Sequence, residues 1–74
     1  MLFYAIAEKD CIDCFYDFEI NTYGDGISFN KLLPTKKLAE KLIENELTYD
    51  GEIIEVHLTV DEEGFFFEYE NIWG

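Results

Sequence analysis

Residues 54–70 read Ile54-Glu55-Val56-His57-Leu58-Thr59-Val60-Asp61-Glu62-Glu63-Gly64-Phe65-Phe66-Phe67-Glu68-Tyr69-Glu70. Apolar and polar residues alternate over 52–60, which is the signature of a strand with one buried face. Ile54, Val56, Leu58 and Val60 fall on the inner side; Glu55, His57 and Thr59 fall on the outer side. Asp61 to Gly64 make a hairpin loop, with Gly64 suited to a left-handed position. A second strand follows over 65–72. Phe65, Phe67, Tyr69 and Trp73 share one of its faces; Phe66, Glu68, Glu70 and Ile72 share the other. A β-hairpin with one apolar face needs a cover, and the rest of the chain must supply it.

The cover is a helix. Pro34 and Thr35 mark its start, with Thr35 as N-cap. Leu38, Ala39, Leu42, Ile43 and Leu47 fall on one helical stripe, which carries it to about residue 47. Asp50-Gly51 closes the connection to the hairpin. Residues 27–33 fit either a short strand or the helix entry. Upstream, Leu2 to Glu8 is a run of β-formers. Residues 12–22 alternate: Ile12, Cys14, Tyr16, Phe18 and Ile20 on one side, Asp13, Phe15, Asp17, Glu19 and Asn21 on the other. That predicts one long strand with an acidic outer face, closed by a turn at Tyr23-Gly24-Asp25-Gly26. The expected fold is α+β: a ββαββ antiparallel sheet with one helix packed on one face, forming a single domain over 1–74.

Charge is the dominant chemical property. Seventeen Asp and Glu face five Lys and no Arg, for a net charge of −12. Lys31, Lys36, Lys37 and Lys41 sit together, so outside 31–41 sixteen acids stand against one lysine. A tail of this charge would be disordered, but 49% apolar and 18% aromatic residues require a core. Such a surface repels nucleic acid and anionic membranes and attracts basic proteins. Met1 to Ala7 lacks the basic start of a signal peptide, and no stretch reaches the roughly 18 apolar residues of a membrane span. The chain is therefore expected in the cytoplasm, the host's if a phage encodes it, with Cys11 and Cys14 as thiols.

The acids predicted on outer strand faces are Asp13, Asp17 and Glu19, then Glu55, then Glu68 and Glu70. Asp61, Glu62 and Glu63 extend the stripe. Alternate residues on a strand are about 6.6 Å apart. That is the order of spacing between successive phosphates, which advance about 3.4 Å per nucleotide along the axis with extra separation around it. Phe15 and Phe66 point outward with the acids on this register, as interface anchors do. The competing reading is that the acids only keep Phe65-Phe66-Phe67 soluble. The helix is also charged against its dipole, with Lys36 and Lys37 in the first turn and Glu44 and Glu46 in the last.

Other chemistry is poorly supported. Cys11-Ile12-Asp13-Cys14 is a C-x-x-C after a strand, and Lys9-Asp10-Cys11 superficially resembles a glutaredoxin start. A redox C-x-x-C opens a helix, however, and here a strand pattern follows. Cys11, Cys14 and His57 with one acid would make four zinc ligands, but a lone His on an alternating strand reads as a surface residue. EF-hand, Walker, nucleophile-elbow and H-E-x-x-H patterns are missing. No catalytic residue, cofactor or metal is expected.

In its size, its missing arginine and its acidic aromatic strands, the chain resembles the small acidic anti-defence proteins of phages. These include anti-CRISPR and anti-restriction inhibitors of the nucleic-acid-mimic type; small acidic immunity proteins are similar too. No motif carries the resemblance, so no residue role comes with it. It implies a non-enzymatic inhibitor whose partner is a Cas effector, a restriction enzyme or a toxin nuclease, without direct nucleic-acid or membrane binding. The alternative is a small assembly module that pairs through a sheet edge, as a homodimer or with another chain.

Overall fold

A computed structural model describes residues 1–9, 11, 13–45 and 51–69. The elements are β1 (Leu2–Glu8), β2 (Cys14–Asp17), β3 (Thr22–Asp25), a 3-10 turn (Phe29–Lys31), α1 (Lys36–Asn45), β4 (Gly51–Asp61) and β5 (Gly64–Tyr69). They form an α+β fold with one five-stranded sheet in the order β3-β2-β1-β4-β5, every pairing antiparallel.

The expected ββαββ order needs one correction. The long strand over 12–22 is instead a hairpin of two four-residue strands, so three strands precede the helix. The turn lies at 18–21, and side-chain chemistry makes it. Asp17 Oδ1 accepts from the backbone N–H of Glu19 at 2.8 Å and of Ile20 at 3.4 Å. Asn21 takes a left-handed φ of 58°, which Asn tolerates better than most residues. The Tyr23-Gly24-Asp25 segment expected as a turn pairs with β2 as β3. Residues 27–33 are neither a strand nor a helix entry. They form the 3-10 turn and then a single bridge, in which Leu33 and Tyr4 exchange both backbone hydrogen bonds.

The main core lies on one face of the sheet. Ala5, Ala7, Phe15, Ile54 and Val56 are buried there, with Ile27, Leu32, Phe67 and Tyr69 packed against them. The small side chains of Ala5 and Ala7 leave room for the 27–32 segment to lie close. β1 is the central strand, and Ile6, which points to the opposite face, is also fully buried. That explains why β1 reads as an unbroken apolar run. The opposite face is tight too. A Cβ on Gly51 would stand 2.6 Å from Ile6 Cγ2 and 3.0 Å from the Tyr23 hydroxyl. α1 contacts β1 and β4, with Ala39 fully buried and Leu42 and Ile43 half-buried. Its start is as expected: the Leu38 N–H donates to Thr35 Oγ1 at 3.3 Å. Leu47 lies outside the described residues.

The sheet is curled. β2 and β5 are separated by β1 and β4, yet the Phe15 and Tyr69 rings meet edge-on at 5.1 Å. The Tyr69 hydroxyl donates to Asp13 Oδ1 at 2.8 Å, which ties the last strand to the loop before β2. Burial first, then this bond and the Asp13 charge, push the Tyr69 phenol up to about 12. An unfolded tyrosine titrates near 10. A raised folded pKa means the stabilisation is complete below pH ~10 and is lost as pH climbs toward 12. Tyr69→Phe should therefore flatten the alkaline limb of a plot of melting temperature against pH. An unchanged limb in the variant would show that the bond contributes nothing.

Candidate functional site

The β4–β5 ribbon meets the expectation of a one-sided strand pair. Ile54, Val56 and Leu58 are buried, while Glu55, His57 and Thr59 are exposed. Val60 departs from the pattern: it lies on the inner side but near the hairpin end, beyond the cover, and is 63% exposed.

The register fixes the outer face. His57 is opposite Glu68, Thr59 opposite Phe66, and Asp61 opposite Gly64. Glu55 and Glu68 are diagonal neighbours, roughly 7–8 Å apart. They line a shallow open depression with His57 and Tyr69. Phe66 lies on the same face, 45% exposed. Glu62 and Glu63 continue from Asp61 around the hairpin, where Asp61 Oδ1 accepts from the Glu63 N–H at 2.8 Å. Residues 51–69 carry six acids and neither lysine nor arginine. Glu70 lies outside the described residues.

The acids around β2 are arranged differently from the expected row. Asp13 precedes the strand, Asp17 ends it, and Glu19 sits in the turn. Each has local work: Asp13 accepts from Tyr69, Asp17 caps the turn, and Glu19 accepts from the Asn30 amide. Phe15 is no anchor. It is fully buried in the core, because β2 buries Cys14 and Phe15 in succession and the alternation carries no facing information there.

Two further features escaped the sequence reading. Lys31 is buried, its Nζ donating to the Asp25 carbonyl at 3.0 Å and the Gly26 carbonyl at 2.6 Å. It leaves the surface lysines fewer than the composition implies. And Cys11 and Cys14 are joined as a disulfide, which corrects the expectation of two thiols. His57 is remote from them. It pairs with Leu2, whereas Glu8, beside the cysteines, pairs with Gly51. Six residues of strand separate the two ends, about 20 Å.

No helix among the described residues is long and apolar enough to cross a membrane. No protein-family model matches the chain, and comparison with curated proteins and with solved structures returns no match.

Proposed function

We propose that this protein is a non-enzymatic inhibitor that docks its acidic β4–β5 ribbon on the basic nucleic-acid-binding surface of a partner. The partner class is a Cas effector, a restriction enzyme or a toxin nuclease, and the inhibitor occupies the path of the nucleic-acid backbone. The observation that carries this reading is the uncompensated outer face: Glu55, Glu68 and Asp61 with hairpin Glu62 and Glu63, set around exposed Phe66. Like charges on neighbouring strands repel and cost stability in the free chain. A cationic groove relieves that cost on binding, and Phe66 adds an apolar anchor at the centre of a charged rim.

The test uses a purified basic nuclease of one of these classes, by calorimetry at about 50 and 200 mM salt. Affinity should fall about tenfold or more across that interval, by analogy with phosphate contacts. A DNA duplex should compete with the inhibitor, and the triple variant Glu55→Gln, Asp61→Asn, Glu68→Gln should bind more weakly. Binding that ignores salt and duplex alike overturns the proposal.

A second reading rests on a separate observation. β5 is a sheet edge, and it carries exposed Phe65 beside Phe29 in a tilted ring contact at 4.8 Å. An unpaired edge with apolar rings is a template for self-pairing. In that case light scattering finds a dimer that persists at both salt concentrations.

A further inference from the structure

We propose that reduction of the Cys11–Cys14 disulfide opens a zinc site made by Glu8, Cys11, Cys14 and Asp25. Three adjacent strands supply three of the donors, and Cys11 lies in the connection between β1 and β2. Glu8 ends β1, Cys14 begins β2, and Asp25 is the residue paired with Cys14 on β3. One donor atom from each of Glu8, Cys11 and Cys14 lies within 4.8 Å of the others. Asp25 Oδ1 completes the set, 3.5 Å from Cys14 Sγ. Around tetrahedral Zn2+, with bonds of about 2.0–2.3 Å, donors sit roughly 3.3–3.8 Å apart. Glu8, Cys11 and Cys14 are within about an ångström of that spacing once the sulfurs separate, and Asp25 joins them from beside Cys14 by turning its side chain.

The frame is fixed independently of any metal. Cys11 N–H donates to the Glu8 carbonyl at 3.4 Å, and Gly26 N–H donates to the Asp13 carbonyl at 2.7 Å. Asp13 takes a left-handed φ of 59°, which turns the chain between the two cysteines. Their spacing is itself the two-residue gap of zinc ligand pairs. Cys14 is buried, Glu8 and Cys11 are half-buried, and Asp25 is exposed, so one side of the cluster stays open for entry. The mixed set of two thiolates and two carboxylates suits a borderline-soft divalent cation better than Ca2+ or Mg2+, which take oxygen alone.

The disulfide makes the site redox-gated. A dithiol reductant delivers two electrons and two protons to the sulfur–sulfur bond and leaves as its own disulfide. Zn2+ then displaces the two thiol protons and binds both sulfurs. The oxidised chain has no thiolate to offer. This inference is independent of partner binding, and its test does not involve the partner.

The experiment titrates the full chain with Co2+, after reduction by a phosphine and removal of excess reductant, and in parallel without reduction. The reduced chain should take up one Co2+ with a thiolate-to-cobalt charge-transfer band and the visible bands of tetrahedral cobalt. One equivalent of Zn2+ should abolish both. The oxidised chain should show neither, and Zn2+ should raise the melting temperature of the reduced chain alone. Cys11→Ser should weaken the charge-transfer band and the affinity together. Glu8→Gln and Asp25→Asn should keep that band but weaken binding about tenfold or more, with circular dichroism verifying that each variant is folded. The proposal is overturned if the reduced chain gives no such band, if the oxidised chain binds equally well, or if Glu8→Gln and Asp25→Asn bind as tightly as the parent.

Discussion

Lys31→Met is expected to lower the melting temperature by roughly 10–15 °C. Methionine keeps most of the aliphatic stem, so packing changes little and the loss isolates the ammonium. Lys31 is 4% exposed, and its Nζ is held by the carbonyls of Asp25 and Gly26. Hydrogen bonds to a charged donor are worth about 1.5–3 kcal/mol each. Against this stands the desolvation cost of a buried ammonium, which the substitution returns. The loss wins because the change is one-sided: the two carbonyls stay and cannot be exchanged for apolar groups. A net cost of about 2 kcal/mol is a large share of what a domain this small possesses. At about 4–8 °C per kcal/mol for this size, the shift follows. Thermal unfolding by circular dichroism measures it, and a melting temperature within a few degrees of the parent would show that water already serves those carbonyls. Lys31→Arg is a useful companion. Nζ lies 3.4 Å from where a Cβ on Gly24 would stand, which leaves a wider guanidinium little room.

The same residue shows where sequence reading stops. Lys31 looks like one more member of a surface cluster with Lys36, Lys37 and Lys41, because lysine is rarely buried and nothing local marks the exception. Only the closure of the chain over β3 places two carbonyls around it. The β2–β3 hairpin was hidden for a related reason. Alternation from Ile12 to Ile20 runs through the turn undisturbed, while the signals that break the strand are an Asp17 side-chain cap and a left-handed Asn21. Both are local polar devices without the Gly or Pro that usually announces a turn.

By contrast, β4, β5 and the start of α1 were legible. From Ile54 to Thr59 β4 is covered on one face only, so each of those residues reports its side; the Thr35 cap is a short-range bond that needs no tertiary context. The outer acids Glu55 and Glu68 were placed correctly by the same logic that misplaced Phe15. One-sided strands can be read from their period, and strands buried on both sides cannot. The disulfide belongs to neither class. The expectation of two thiols rests on compartment, which says nothing about how near two sulfurs stand.

Phe15 and Phe66 turn that distinction into the second large effect. Both were expected outward, and the structure buries one and exposes the other. Phe15→Ala removes a fully buried ring that meets Tyr69 at 5.1 Å and closes the curl between β2 and β5. A core Phe→Ala change costs about 3–5 kcal/mol. That matches or exceeds the stability of a chain this short, so the variant is expected to be largely unfolded at 25 °C. Phe15→Leu keeps the core apolar and should remain folded with a lower melting temperature. Phe66→Ala, on an exposed face opposite Thr59, should change stability by no more than about 0.5 kcal/mol. Chemical denaturation of the three variants measures the order. If Phe15→Ala were as stable as Phe66→Ala, β2 would have the opposite facing and its acids would form the outer row after all. The ordering also decides how the inhibitor proposal must be tested. Lost partner binding in Phe15→Ala would report only unfolding, whereas a loss of about tenfold or more in Phe66→Ala, with stability intact, would locate the contact on the β4–β5 ribbon.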